Sequence, residues 1–461
     1  MIQTKLQVSG YRGIWGENLT EEIASKYALA FIEYIKEKTN KKYPTILIGR
    51  DGRESGPIIK KAIINKLEKQ NVKIIDGDVL PTPTVLYAVR THKYDGAIII
   101  TASHNPIEYN GLKFVMSDGF FTNENDVKNI IEKYNQINIQ ESKTKLMYKI
   151  KNILQVFKLT PNFVKEHADH ILKNIDTEKI RAKKFKVAVD MTNGASCVMD
   201  PYLFEQLGIQ LLSINNIPNG KFTHKPEPLK ENLEQIEKFV KENKVDIGFV
   251  QDPDADRLVV IDEHGEMISE EYTVSLGMEA ILAKYPNTEQ TIVINMSTSQ
   301  MNTDIAHKYG GECIRAKVGE ANVVSEMLKV NAIAGGEGGG GVIYPTINFA
   351  RDSFVSLCLI LELLAKNNKS ISETVKEFPK YHMKKDKITI TDSLENCYKK
   401  LKEHFKEATA NELDGLRLDF ADSSWIHLRP SNTEPIIRLY GEAKEKIQIE
   451  NLFTETKKIL L

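Results

Sequence analysis

The stretch GAIIITASHNP, residues 96–106, combines a short apolar run with an abrupt polar end. Similar runs end in polar or glycine-rich loops near residues 45–55, 186–196, 246–257, 291–300 and 331–341, and amphipathic helical stretches separate them. Short apolar strands that alternate with helices indicate parallel sheets covered on both faces. Because ligands bind at the carboxyl ends of such strands, we expect functional residues in these loops.

The chain is long enough for two to four domains, since it has 461 residues. Three stretches, at residues 45–55, 186–196 and 291–300, each have the pattern of a strand, a polar turn and the start of a helix. Their similarity predicts three related α/β domains with mixed, mostly parallel sheets. Beyond a lysine-rich segment at 376–387, hairpin-like runs predict a smaller C-terminal α+β domain. The predicted boundaries are 1–155, 156–258, 259–370 and 371–461.

Composition favours a soluble cytoplasmic protein that binds neither nucleic acid nor membrane. The 62 Lys and Arg balance 63 Asp and Glu, so no overall charge attracts a polyanion. The four cysteines are scattered, which is typical of reduced thiols. The N-terminus lacks an apolar signal core, and the apolar run 354–364 is too short to span a bilayer.

The segment DPDADR places Asp252, Asp254 and Asp256 at alternate positions, and in an extended chain these side chains point to one side. Three adjacent carboxylates need a compensating cation, and oxygen ligands suit Mg²⁺ or Ca²⁺. An EF-hand loop would need glycine where Arg257 stands, and the strand-like LVVI follows. An acidic turn without a metal is the remaining alternative.

The segment GEGGGG, residues 336–341, contains a G-x-G-x-x-G pattern, which alone is a weak signal. A dinucleotide site should open a helix here, yet the β-branched and aromatic VIYPTINFARDS follows. Glycines allow close approach of a ligand, and Glu337 is unusual in a flexible linker. We therefore favour a sugar-binding loop over a linker.

The segment RPSNTEPIIR, residues 429–438, gathers two arginines and several hydroxyl and amide donors. Such a set suits a phosphate dianion. A capped turn balanced by Glu434 is an equally good interpretation of these residues alone.

Ser103 in TASHNP lacks the G-x-S-x-G elbow of α/β-hydrolases. The adjacent His104 should point away from the serine, so loop shaping or phosphate contact is a better role for it than activation of Ser103. A serine beside a carboxylate-bound cation is suited to carry a phosphoryl group. A plain turn serine is the alternative.

Together, these four segments resemble the α-D-phosphohexomutase superfamily, with the motifs in family order over nearly the whole chain. Lesser matches are SGYRGIWGENLT near the start, GRDGRESG from Gly49, PTPT from Pro81, YNGLK from Tyr109 and PEP from Pro226. The resemblance implies four domains around a central active-site cleft: three related α/β domains and a different C-terminal one.

The resemblance also implies a phosphoryl relay between hexose 6-phosphate and hexose 1-phosphate. Ser103 would be phosphorylated and would hold one Mg²⁺ with the three aspartates, while hexose 1,6-bisphosphate would serve as intermediate and activator. Of the two cationic groups near the serine, Arg12 and Lys113, Lys113 is the better general acid/base, provided that its pKa is lowered. The alternative is that both groups form salt bridges to the aspartate cluster. His104 and Asn105 would shape the serine loop. The implied substrate contacts are Glu337, Gly339, Arg257, Arg429, Ser431, Asn432, Thr433 and Arg438.

Departures from the family pattern concern the sugar. Gly339 and Gly341 stand where the sugar loop commonly has serine and histidine, and Glu320 stands where many phosphomannomutase/phosphoglucomutase enzymes have histidine. An acidic group there favours an amino sugar, so we expect a phosphoglucosamine mutase, with phosphomannomutase/phosphoglucomutase as the alternative. A non-catalytic sugar-phosphate-binding relative is a distant third, because neither Ser103 nor a metal aspartate is lost. The expected assembly is a monomer or homodimer.

Overall fold

Four successive β-sheets with their helices make up the protein in this computed structural model, which describes residues 6–68, 70–143, 156–157, 162–286, 288–390, 392–430 and 436–460. In the first three segments the central strands are parallel, and in the fourth the described strands are all antiparallel. The predicted α/β class with a C-terminal α+β module is confirmed.

The first segment has a six-stranded sheet of order β1-β5-β4-β2-β3-β6. Its elements are β1 (Tyr11–Ile14), α1 (Glu21–Thr39), β2 (Thr45–Arg50), α2 (Gly56–Leu67), β3 (Lys73–Val79), α3 (Thr82–His92), β4 (Gly96–Ile100), β5 (Tyr109–Met116), α4 (Glu124–Lys143) and β6 (Val156–Phe157). β6 pairs with β3, so this sheet extends past residue 155. The four predicted domain ranges stay predictions.

Helices on both faces explain why β4 is a continuous apolar run. Ile98 and Ile100 belong to the cluster with α1 and α2, whereas Ala97 and Ile99 belong to the cluster with α3. Successive side chains of a strand alternate between faces, so a strand covered on both sides must be apolar throughout. Truncation of Ile98 to alanine would leave a cavity that typically costs about 2–5 kcal/mol.

The second and third segments carry a five-stranded sheet, β11-β10-β9-β7-β8, and a four-stranded sheet, β13-β12-β14-β15. The second contains α5 (Phe163–Lys173), α6 (Thr177–Lys183), β7 (Lys186–Asp190), α7 (Asp200–Gln206), β8 (Gln210–Ile214), α8 (Glu234–Asn243), β9 (Ile247–Gln251), β10 (Leu258–Ile261) and β11 (Met267–Ile268). The third contains α9 (Glu270–Leu282), β12 (Thr291–Asn295), α10 (Met301–Lys308), β13 (Glu312–Ala316), α11 (Glu320–Val330), β14 (Ala334–Glu337), β15 (Gly341–Ile343), α12 (Ser353–Asn367) and α13 (Ile371–Val375).

The three predicted repeats share one strand order. β2, β7 and β12 each lie between two parallel neighbours, and a third parallel strand then pairs with an antiparallel fourth. The orders β3-β2-β4-β5, β8-β7-β9-β10 and β13-β12-β14-β15 are therefore equivalent. The serine, aspartate and glycine segments occupy the same connection in each repeat, between the third parallel strand and its antiparallel partner.

The apolar run 354–364 forms most of α12, a helix buried on all sides against the second and third segments. The carboxylate of Glu362 is buried in it and lies 2.9 Å from the ammonium groups of both Lys284 and Lys366. None of the helices in the described residues combines the length and hydropathy needed to cross a membrane.

The fourth segment is an antiparallel sheet of order β16-β20-β19-β18-β17. It contains β16 (His382–Ile388), α14 (Leu394–His404), β17 (Thr409–Asn411), β18 (Leu416–Asp419), β19 (Trp425–Pro430), β20 (Ile437–Ala443) and α15 (Lys446–Leu460), with a core shared by the sheet and both helices. This segment contacts the third through a 2.9 Å hydrogen bond between Ser297 Oγ and His427 Nδ1, and through the Arg417 guanidinium, which donates to the Met296 carbonyl.

Candidate active site

Ser103 lies just beyond β4 and is 1% exposed. Its hydroxyl contacts residues 252–257 of the second segment, here called the metal loop after their predicted role. Its Oγ donates to Asp252 Oδ2 at 2.9 Å. Its backbone adopts φ 52°, a left-handed conformation that L-residues rarely hold without support. A turn serine without a function would not need this buried, strained placement against a carboxylate.

His104 does not point away from Ser103, contrary to the sequence expectation. Its Nδ1 lies 3.3 Å from Ser103 Oγ, and its Nε2 lies 3.8 Å from the Glu227 carboxylate of the PEP segment. The alternation argument holds for extended backbone, and the left-handed turn at Ser103 removes it. Burial, followed by the charges of Arg257 and Arg12, holds the pKa of His104 well below its usual value, so the ring is neutral.

Asp252, Asp254 and Asp256 converge in a buried cluster whose ligand oxygens all lie within 4.8 Å of one another. The sequence predicted that they lie along an extended segment, and this prediction is wrong. The chain turns sharply after β9, with Ala255 at φ 60°, and Asp252 Oδ1 accepts from the backbone N–H groups of Asp256 and Arg257. This turn, rather than strand alternation, brings the three carboxylates together.

The donor set fits a hard divalent cation. Burial, followed by the charges of Asp256 and Asp254, raises the pKa of Asp252 well above its usual value, so a charged Asp252 is unfavourable here without a cation. Asp254 Oδ1 and Asp256 Oδ1 are buried and have no hydrogen-bond partner in the described part of the chain. Oxygen ligands of this kind are the ones that Mg²⁺ binds.

Lys113 and Arg12 approach this cluster from β5 and β1. Lys113 Nζ donates to Asp254 Oδ2 at 2.7 Å and lies 3.5 Å from Asp256 Oδ2. Burial favours the neutral amine, yet the two carboxylates outweigh it and raise the pKa of Lys113. This is the opposite of the lowered pKa that a base needs, so Lys113 is a protonated counter-charge here. Arg12 Nη1 donates to Asn105 Oδ1 at 2.8 Å.

The glycine segment is the tight connection of a β-hairpin, in which Glu337 of β14 pairs with Gly341 of β15. It opens no helix, which excludes the dinucleotide loop. Glu337 Oε1 accepts from Asn295 Nδ2 at 2.9 Å and from the Gly319 N–H at 2.7 Å, so its carboxylate is held in one orientation. Gly339 has φ 103°, which disfavours any L side chain.

Arg257 lies between the metal loop and the glycine loop. Its Nε is 3.9 Å from Asp256 Oδ1, and a Cβ built on Gly339 would lie 3.9 Å from its Nη1. The Arg257 Nε–H is buried and makes no hydrogen bond within the described residues. An unsatisfied buried donor is costly unless a ligand meets it, and the substrate contact expected of Arg257 stays a prediction.

Arg351, which sequence reasoning missed, connects the metal loop with the glycine loop. Its guanidinium lies 2.6 Å from Asp256 Oδ2, 2.9 Å from Glu320 Oε2 and 3.3 Å from Glu337 Oε2. Burial raises the pKa of Glu320 to about 7 against the opposing charge of Arg351. The local sequence FARDS, residues 349–353, contains no pattern that would reveal three carboxylate partners distant in the chain.

The phosphate segment lies at the end of the β19–β20 pair. Arg429 and Arg438 are directly opposite in the register of these strands, and Arg438 Nε is buried with no hydrogen-bond partner in the described ranges. Like charges opposite one another are unfavourable unless an anion compensates them. Arg429 Nε lies 3.0 Å from Asp414 Oδ2. The predicted contacts Ser431, Asn432 and Thr433 lie outside the described residues.

Comparisons with known proteins agree with this fold. Four models of phosphoglucomutase/phosphomannomutase match in order: alpha/beta/alpha domain I at residues 3–141, domain II at 165–265, domain III at 270–381 and the C-terminal domain at 387–459. A solved phosphoglucomutase/phosphomannomutase family protein from Burkholderia thailandensis superposes with a TM-score of 0.83 at 23% identity, covering 99% of this chain and 96% of that one. The three related domains and the C-terminal domain thus define the architecture of this enzyme class.

Two curated relatives extend the comparison over nearly the full length. A protein of Thermococcus kodakarensis named phosphoglucomutase/phosphomannomutase is 34% identical, covering 95% of this chain and 94% of that one. A protein of Sulfurisphaera tokodaii named phosphoglucosamine/phosphogalactosamine mutase is 33% identical, with 98% of each chain covered. The chain belongs to the phosphoglucomutase/phosphomannomutase family.

Proposed function

We propose that this protein is a phosphohexomutase, an isomerase that interconverts hexose 6-phosphate and hexose 1-phosphate through phosphorylated Ser103. The observation that carries this proposal is the 2.9 Å hydrogen bond from the Ser103 hydroxyl to Asp252 within a buried triad of carboxylates. A serine held at a cation site has the surroundings that phosphoryl transfer requires.

The proposed relay has two transfers. In the first, the bond between phosphorus and Ser103 Oγ breaks, a bond from phosphorus to the free sugar oxygen forms, and the proton of that sugar hydroxyl ends on Ser103 Oγ. The resulting hexose 1,6-bisphosphate turns over in the cleft. In the second, the bond between the other phosphorus and its sugar oxygen breaks, a bond from that phosphorus to Ser103 Oγ forms, and the Ser103 hydroxyl proton ends on the sugar oxygen, which regenerates the phosphoserine. The same bisphosphate, added in trace amounts, would restore any enzyme that has lost its phosphate.

Asp252, Asp254 and Asp256, together with the Ser103 side chain, would hold one Mg²⁺. When bound, this ion supplies positive charge that neutralises phosphate oxygens during transfer. Lys113 and Arg12 add fixed positive charge beside the same aspartates. Lys113 as the proton acceptor stays a prediction, and it requires a lower pKa than the carboxylates give it here.

The distal phosphate is proposed to bind between Arg429 and Arg438, with Ser431, Asn432 and Thr433 as further donors. The two opposed arginines support this proposal, since a dianion would relieve their repulsion. Glu337 is proposed to accept hydrogen bonds from ring hydroxyls in both orientations of the intermediate, with Arg257 and the Gly339 backbone beside it. Its carboxylate is already fixed by Asn295 and Gly319.

For the sugar, our first candidate is glucosamine phosphate. Glu320 and Glu337 place two buried carboxylates around one guanidinium next to the glycine loop, and one relative is named for glucosamine and galactosamine phosphates. The second candidate is mannose or glucose phosphate. It is favoured by the pairing of Arg351 with both carboxylates, which leaves less negative charge for an ammonium group, and by the name of the other relative.

A ³¹P NMR time course tests the function and the sugar together. Wild-type protein with Mg²⁺ and a trace of hexose 1,6-bisphosphate is given the 6-phosphate of glucosamine, mannose or glucose in separate samples. We expect conversion to the 1-phosphate, fastest with glucosamine. Ser103→Ala should abolish conversion, whereas Ser372→Ala, which removes a hydroxyl that donates to Glu263 at 2.6 Å far from the site, should not. Equal activity of Ser103→Ala and wild type would overturn the proposal.

A further inference from the structure

Arg53 is 1% exposed, and its guanidinium forms hydrogen bonds with Asp51 and with the loop that carries Ser103. Its Nε lies 3.1 Å from Asp51 Oδ2. The remaining N–H groups donate at 2.6–2.9 Å to four backbone carbonyls of the loop, those of Ser103, Asn105, Pro106 and Tyr109. All the donor nitrogens of this buried cation therefore bond either to Asp51 or to the main chain around Ser103, and none faces the cleft.

The contacts of Arg53 close a ring around the backbone of Ser103. The Ser103 N–H donates to Thr101 Oγ1 at 2.9 Å, and that hydroxyl donates to Asp51 Oδ2 at 2.7 Å. The same carboxylate oxygen accepts from Arg53 Nε, and Arg53 Nη2 donates to the Ser103 carbonyl at 2.7 Å. Both polar groups of the Ser103 main chain are thereby fixed, which holds the residue at φ 52°.

The second segment covers this ring from outside. The Phe222 ring lies 4.9 Å from the Arg53 guanidinium carbon. Gly220, at φ 67°, packs so closely that a Cβ there would lie 2.5 Å from Arg53 Cα. Water is excluded from the ring, so these hydrogen bonds are stronger than they would be at the surface.

We propose that Arg53 is the positioning residue of the phosphoryl carrier. It sets the main chain of Ser103 so that Oγ lies on Asp252, and it does so without touching substrate. This inference rests on the proposed function of Ser103. It predicts that loss of Arg53 slows phosphoryl transfer while sugar-phosphate binding is retained. The proposed phosphate site at Arg429 and Arg438, here called the clamp, and the glycine loop at residues 336–341 belong to the fourth and third sheets and do not depend on Arg53.

The test uses the full-length enzyme with Arg53→Lys, which keeps the charge but cannot reach all five acceptors. Arg417→Lys is the matched control, since Arg417 is also buried, pairs with Asp419 and lies 4.0 Å from the Trp425 ring, far from the serine. We measure kcat, KM, the unfolding temperature and the ³¹P chemical shift of phospho-Ser103, with all kinetics well below the unfolding temperature.

For Arg53→Lys we expect kcat to fall by about tenfold to a hundredfold with KM within about twofold of wild type, and the phosphoserine resonance to move. Arg417→Lys should lower the unfolding temperature and leave the resonance unchanged. Wild-type kcat and resonance in folded Arg53→Lys would overturn the inference and leave the mutase function intact. Wild-type enzyme that gains no phosphoserine after incubation with hexose 1,6-bisphosphate and Mg²⁺ would overturn both.

Asp51→Asn provides a second variant if Arg53→Lys does not fold. It replaces the carboxylate that accepts from the Arg53 Nε–H and from Thr101 Oγ1 by a neutral amide, and so weakens the ring while Arg53 itself is retained. The same fall in kcat, with KM preserved, is expected. An unchanged kcat in this variant would count against a positioning role of the ring.

Discussion

The guanidinium of Arg351 lies 2.6 Å from the Asp256 carboxylate, and this ion pair connects the glycine loop with the metal loop. The same side chain pairs with Glu320 and Glu337, so three buried carboxylates share one arginine. Asp352, the next residue, caps α12 through the backbone N–H groups of Phe354 and Val355, which fixes where Arg351 can reach.

Replacement of Arg351 by methionine should destabilise the protein by about 3–5 kcal/mol, because buried charges lose their partner. Urea unfolding of both proteins at pH 7 measures this difference. Arg181→Met is the control, since Arg181 is partly exposed and donates mainly to the Gln206 carbonyl. A loss below about 1 kcal/mol for Arg351→Met, similar to typical surface substitutions, would show that the three carboxylates do not depend on it.

Removal of the metal should lower the stability of wild type much more than that of Asp252→Asn. Without divalent cation, the asparagine replaces a buried carboxylate whose pKa is raised by burial and by the charges of Asp256 and Asp254, so the variant should be the more stable protein. With Mg²⁺ at about 100 times its Kd, wild type should gain about 2.7 kcal/mol and the variant much less. Thermal unfolding in EDTA and in MgCl₂ tests both parts. Equal stabilisation of the two proteins by Mg²⁺ would place the cation elsewhere.

Acid should weaken the contact between the third and fourth segments through His427. Burial lowers the pKa of His427 to about 4 from a usual value of 6.5, and its ring bonds Ser297 Oγ and the Asp414 carbonyl as a neutral group. Because the unfolded chain binds the extra proton first, stability should fall as pH drops from 6.5 towards 4, by up to about 1.4 kcal/mol per pH unit.

His427→Gln removes this titration, so its unfolding free energy should depend less steeply on pH in the same range. His382→Gln, which changes an exposed histidine of β16, should keep the wild-type slope. Parallel pH profiles for wild type and His427→Gln would contradict the neutral-histidine contact.

Arg438→Met should weaken phosphate binding while it stabilises the ligand-free protein or leaves it unchanged, since it removes one of two opposed cations. Inorganic phosphate should then raise the unfolding temperature of wild type more than that of the variant. Lys400→Met is the control, because Lys400 is an exposed cation of the same segment that pairs with Asp392. Identical phosphate effects in Arg438→Met and wild type would remove Arg438 from the clamp.

The sequence predicted the four-part architecture because strands such as β4 and β9 are buried throughout and therefore consist mainly of short apolar runs. It also singled out the residues of the turns after these strands, Ser103 and the three aspartates. Local rules failed where the backbone leaves regular geometry. The left-handed φ of Ser103 brings His104 beside the hydroxyl, and the left-handed φ of Ala255 gathers the aspartates in a turn.

The residues that sequence reasoning missed act through partners distant in the chain. Arg53 reaches the carbonyls of Ser103 to Tyr109, some fifty residues away, and Arg351 reaches Asp256, 95 residues away. No local pattern encodes such pairs. The sequence left two roles open for Lys113, a general acid/base and an ion pair with the aspartates, because its raised pKa depends on an aspartate 141 residues away.

The most direct test of the central claim follows one labelled phosphate. Enzyme that carries ³²P on Ser103 is separated from free ligand and mixed with a stoichiometric amount of unlabelled hexose 6-phosphate in the presence of Mg²⁺, and products are quenched at short times. We expect the label to leave the protein and to appear first in hexose 1,6-bisphosphate and then in hexose monophosphate. Label that stays on Ser103 while sugar phosphate is converted would contradict the phosphoserine relay.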